Sequence, residues 1–174
     1  NEPTGDPSAH DQARAHLAWS VLHEWSEIPG ARPDGTIDGE HLTTWVRAAR
    51  LAFSESARTS IGDEVIGEVL ATSPIGTDGA WPAEPVREII ESAGSTRLDT
   101  GLAIGRYNQR GVHSRDVFDG GAQERALEET YQAWSTQISS KWPRTARILR
   151  GLAEDYAREA EHHDADSERR SDDG

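Results

Sequence analysis

Apolar residues recur along this chain at intervals of three and four, with no sustained alternation of β-branched positions. That spacing gathers them on one face of a helix and argues against strands. Gln12 to Ser26 carries Leu17, Val21, Leu22 and Trp25 on such a face, and Pro29 with Gly30 stops it. The cleanest stripe follows: Leu42, Trp45, Val46, Ala49 and Phe53, opened by Asp38, whose carboxylate suits an unbonded first-turn amide. Ser60 is the expected cap of a third helix that turns Ile61, Val65, Ile66, Val69 and Leu70 inward, and SPIGTDG, Ser73 to Gly79, breaks it.

Trp81-Pro82 and Trp142-Pro143 each mark a helix start, because a proline in the first turn gives up an amide that has no partner there. The fourth helix packs Val86, Ile89, Ile90 and Ala93 and ends at Gly94. A fifth starts at Ser95 or Thr96, packs Leu98, Leu102 and Ile104, and runs to Arg110. The sixth begins near Gly121 with Leu127, Tyr131, Trp134 and Ile138 inward, and the seventh carries Ala146, Leu149, Leu152 and Tyr156. Residues 1–11 are polar with Pro and Gly and are expected to be a linker. Residues 159–174 are charged, hold no large apolar side chain and are expected to be a disordered acidic tail. The expectation is one all-α domain over 12–158, of about seven amphipathic helices, with an ordered loop after the fifth.

Length and charge narrow the function. A chain of 174 residues holds one core, and six Trp against three Tyr and two Phe make that core depend on a few large anchors. The net charge of -13 repels phosphate backbones and anionic lipid, so neither nucleic acid nor a membrane is an expected partner. No apolar run approaches the roughly 20 residues of a membrane helix, and the start of the chain lacks a signal pattern, so a cytoplasmic setting is expected. The absence of Cys excludes disulfides, thiol nucleophiles and thiolate metal sites. The absence of Met makes the chain, by expectation, the C-terminal part of something longer.

The candidate chemistry concentrates in IGRYNQRGVHSRDVFDGGAQER, Ile104 to Arg125. Arg106 and Arg110 are four apart and share a helix face, with Arg115 close by, while Asn108, His113, Ser114 and Asp116 add hydrogen-bonding groups. Gly120-Gly121 then leads into a helix whose free amides, with Arg125 one turn on, suit an anion. The site set is therefore Arg106, Asn108, Arg110, His113, Arg115, Gly121 and Arg125, read as an anion or carboxylate pocket. The competing structural reading pairs Arg106 and Arg110 with Asp99, Asp116, Asp119 or Glu124. The stretch matches neither a P-loop nor a dinucleotide fingerprint, and no cofactor is expected.

Other clusters are weaker. DGTIDGEHLTTW, Asp34 to Trp45, starts like a calcium loop but has Trp45 where a bidentate Glu is required, so two Asp-Gly turns and an N-cap are expected instead. His162 and His163 are adjacent and diverge on a helix; His16 and His23 complete no site. His113-Ser114 lacks the geometry of a nucleophile and its base, so catalysis is not expected.

The stretches GRYNQRGVHSRDVFDGGAQER, IGDEVIGEVL, GAWPAEPVREII and KWPRTARILRGLAEDY together resemble a C-terminal helical region of large, mostly uncharacterised actinobacterial multidomain proteins, over nearly all of Trp19 to Arg158. The resemblance implies a place at the end of a longer chain and transfers no activity. The expected function is a non-catalytic interaction or assembly module at the C-terminal end of a larger cytoplasmic protein, contacting the upstream part of its own chain or a protein partner through the Arg106 to Arg125 surface and exposed Trp edges. A small anion-binding or hydrolytic unit is the alternative.

Overall fold

The computed structural model describes residues 27–55, 59–109 and 121–172. Among these the chain forms α1 (Gly39–Glu55), α2 (Thr59–Leu70), α3 (Glu84–Ala93), α4 (Thr96–Asn108), α5 (Ala122–Ile138) and α6 (Pro143–Asp172), and no strand. They are the second to seventh of the expected helices, and the fold is all-α. The expected linker and the helix from Gln12 to Ser26 lie outside the described residues, as does the loop after α4.

The starts of α1, α4 and α6 each have an identifiable local or distant cap. The Asp38 carboxylate accepts the His41 amide at 3.0 Å and opens α1, whose Leu42 and Val46 are buried. Ser95 accepts the Leu98 amide and opens α4. The start of α6 is capped from another helix: Glu91 of α3 accepts the Thr145 amide at 2.8 Å and the Arg144 amide at 3.2 Å. Trp142-Pro143 does open α6, as the sequence predicts. Trp81-Pro82 does not open α3, which starts at Glu84 with Pro85 in its first turn. Trp81 is instead buried in the loop ahead, its indole N–H donating to the Ser73 carbonyl at 2.9 Å. Gly94, at φ 59°, ends α3 in the left-handed conformation that only glycine adopts cheaply.

Two pairs of helices make the body. α2 and α4 run in the same direction with their backbones in contact. A Cβ on Gly101 would lie 1.9 Å from the Glu64 carbonyl oxygen, one on Gly67 2.3 Å from that of Leu98, and one on Gly105 2.8 Å from the Ala71 side chain. Two inward assignments fail on this seam. Ile61 is 50% exposed because it sits a turn ahead of Glu64, where α4 has only begun, and Ile104 is 40% exposed because Leu102 and Gly105 take the inner face. The second pair, α5 and α6, is antiparallel: Ser135 donates to the Ala146 carbonyl at 2.8 Å, and Gly121 abuts the Ala160 backbone. Ala146, Leu149, Leu152, Tyr156 and Ala160 form the buried row of α6.

The disordered tail expected over 159–174 is a correction as far as Asp172, because α6 continues to that residue. The reason is tertiary: Ala160 is buried, Glu159 binds Tyr107 of α4, and Asp164 binds the start of α5.

Candidate functional site

Four of the seven residues that the sequence grouped, Arg106, Asn108, Gly121 and Arg125, lie among the described ones. Arg106, in the last turn of α4, lies with its guanidinium 4.7 Å from the centre of the Trp81 ring, and its Nε–H donates to the Tyr131 hydroxyl at 2.7 Å. That is a cation stacked into an aromatic cluster rather than one aimed at a ligand. Asn108 is exposed at the end of α4. Arg110, His113 and Arg115 lie outside the described residues. Asp99, an expected partner of Arg106, holds Arg144 at 2.7 Å and Arg147 at 3.7 Å instead.

Gly121 and Arg125 do come together, and around an anion. The Gly121 amide donates to Oδ1 of Asp164 at 3.0 Å, and the Arg125 guanidinium binds the same carboxylate. The helix start that suited an anion is thus filled by the chain's own tail. The Arg125 guanidinium, and after it the Gly121 amide, hold the Asp164 carboxyl below the ordinary carboxylate range.

Beside this contact Tyr107, Asp155, Arg158, Glu159, His162 and His163 line an open groove of about 360 Å³. Tyr107 donates to Oε1 of Glu159 at 2.6 Å and stacks on Tyr156, with ring centres 6.4 Å apart. The Asp34 to Trp45 stretch resolves into turn chemistry. Asp34 accepts the Thr36 amide and hydroxyl, and Asp38 caps α1 while holding Arg32 at 2.8 Å. Among the described residues no three His, Asp or Glu side chains converge to hold a metal ion.

The most ordered polar cluster is one that the sequence reading missed. Arg87, fully buried on α3, donates from Nε to the Pro82 carbonyl and from Nη2 to the Ala80 carbonyl, both at 2.5 Å, and binds the Asp78 carboxylate through both Nη atoms. Its guanidinium lies 4.7 Å from the Trp142 ring centre. The 72–83 loop is then pinned to α5, because Trp134 donates to the Gly79 carbonyl and Gln137 to that of Asp78. A lone Arg in an otherwise apolar stripe, with an Asp-Gly turn nine residues ahead, was the available signal. These bonds use four of its five N–H groups and commit it to holding the loop.

Where neighbours or burial move a carboxyl among the described residues, as at Asp34, Asp38, Asp78, Glu84 and Asp164, the movement is downward. These groups are held as anions, unlike a general acid. Comparison with known proteins finds no match: no family model fits the chain, no curated protein resembles it in sequence and no solved structure is similar to it.

Proposed function

We propose that this chain is a non-catalytic helical interaction or assembly module of a larger cytoplasmic protein, contacting first the upstream part of its own polypeptide. The reading follows the resemblance to a C-terminal helical region. One observation carries it. Leu51 is 60% exposed on α1, a helix at the edge of the body, and the exposed Ala48 and Ala52 flank it at helical spacing. α1 is therefore apolar over a wider arc than its packing on α2 and α3 uses, and an uncovered apolar strip on an edge helix suits a partner. The ionic groups that a ligand site would use are meanwhile committed internally, as Arg106, Arg125 and Gly121 show.

The test is binding of the separately expressed upstream polypeptide to wild-type chain, to Leu51→Glu and to Ala48→Glu, followed by calorimetry. Both sites are exposed, so the variants should melt like wild type while binding weakens at least about tenfold, roughly 1.4 kcal/mol. Unchanged binding in both variants rejects the surface. The anion-binding alternative retains one supporting fact: the Gly121 and Arg125 pair does accept a carboxylate, that of Asp164.

A further inference from the structure

All three tyrosines of the chain stand in one column of rings. Trp134 meets Tyr131 edge-on with centres 5.3 Å apart, and Trp81 meets it edge-on at 6.3 Å. Tyr131 stacks on Tyr156 at 5.5 Å, and Tyr156 on Tyr107 at 6.4 Å. The column starts in the core, where Trp81 is 1% exposed, and ends at Tyr107, which is 47% exposed. Packing preferences of aromatic rings explain such contacts in a core. They do not explain why the column reaches the surface, nor the charges at its two ends.

Those charges form a gradient. The Arg106 cation lies over Trp81 and donates to the Tyr131 oxygen, so removing an electron from either ring creates positive charge beside positive charge. At the other end the Tyr107 hydroxyl donates to the Glu159 carboxylate at 2.6 Å, a short charge-assisted bond to a group able to take the phenolic proton. Trp142, the neighbouring large ring, faces Arg87 at 4.7 Å and Lys141 at 4.1 Å, which disfavours a hole there as well. With no Cys and no Met, the chain also lacks the sulfur side chains that ordinarily absorb oxidising equivalents.

We propose that Tyr107 is the exit of a relay that carries one-electron oxidation out of the core, and hence the site of oxidative modification in this protein. An external one-electron oxidant removes an electron from Trp134 or Trp81. Tyr131, Tyr156 and Tyr107 each refill the ring before them in turn, Tyr131 and Tyr156 keeping their phenolic protons as transient radical cations. As the electron leaves Tyr107, its hydroxyl proton passes to Glu159, giving a neutral phenoxyl radical and a carboxylic acid. Radicals on two copies then couple through ring carbons, and in each ring the proton on the coupled carbon moves to the phenolic oxygen, which restores the aromatic phenol and leaves a covalent Tyr107-to-Tyr107 link.

The absence of Cys allows a clean test. A ruthenium polypyridyl photosensitiser attached to Ala133→Cys, next to Trp134 on an exposed position of α5, is oxidised by flash-quench to ruthenium(III), which takes an electron from the nearest ring and returns to ruthenium(II). Transient absorption follows the radical, and peptide mass spectrometry maps the product. The expected result is a tryptophan radical that decays into a tyrosyl radical, with product and dityrosine at Tyr107. In Tyr156→Phe, which keeps the ring and loses its oxidisable phenol, product at Tyr107 should fall to the background of Tyr107→Phe while Trp134 stays oxidised. Glu159→Gln should slow formation of the Tyr107 radical. If Tyr156→Phe leaves product at Tyr107 unchanged, its modification reflects exposure alone and the relay is wrong. Product on Trp134 alone in the otherwise wild-type chain also overturns it.

Discussion

Arg87 illustrates how a single charged side chain organises apolar surroundings. Its guanidinium is fully buried, so the cost of removing it from water is met only because a carboxylate and two carbonyls surround it. Arg87→Met keeps much of the volume but leaves the Ala80 and Pro82 carbonyls without their donor and Asp78 without its cation. The expected loss is about 3 kcal/mol, the low end for breaking a buried pair, since Asp78 keeps 32% of its side-chain surface in water. For a chain of this size that lowers the melting temperature by roughly 10 °C. Calorimetry reads it directly, and a shift under about 3 °C shows that the clamp contributes little. Arg106 makes the complementary point. Its spacing from Arg110 was legible as a shared face, but nothing local tells that face that Trp81, 25 positions upstream, will come to lie on it.

Helices were legible wherever the apolar spacing itself decides the packing. Leu42 and Val46 of α1, or Val86, Ile89 and Ile90 of α3, are buried as their periodicity requires. The glycine seam was not read, although Gly101 and Gly105 stand four apart on one face, because a missing side chain carries no hydrophobic signal. Gly101→Ala tests that seam. Alanine favours a helix over glycine by about 1 kcal/mol, yet a Cβ 1.9 Å from a backbone oxygen forces α2 and α4 apart. The net result should be a loss of about 2 kcal/mol, seen in chemical denaturation as a lower midpoint. A stabilised variant would mean that the helices are less closely apposed. The end of α6 was misread for a related reason, since its anchors are contributed by other elements. Hydrogen exchange is the measure here. In Asp164→Asn, amides of 161–172 and of the first turn of α5 should lose protection together, while those of α2 and α3 keep theirs. If 161–172 stays protected, Asp164 is not what holds it.

At the scale of the whole molecule two electrostatic effects oppose each other as pH falls. The chain carries -13 at neutral pH with an isoelectric point near 4.9, so protonation between pH 7 and 5 relieves general repulsion and should raise the melting temperature. Below that the specific contacts fail. Arg87 beside Asp78, and Arg125 beside Asp164, hold those carboxyls below their unfolded values. Their contribution is therefore fully present above the unfolded carboxylate pKa of about 3.9 and is lost as pH drops through the lower folded values. Stability should peak near pH 5 and fall below about pH 4. Salt separates the two limbs: at about 0.5 M it should flatten the neutral side, where exposed charges repel through water. It should leave much of the acid limb, because the Arg87 contact is sheltered. Arg87→Met should weaken the acid limb and spare the neutral one. A curve that falls steadily from pH 7, or an acid limb identical in Arg87→Met, would show that the buried clamp does not set the acid sensitivity of this fold.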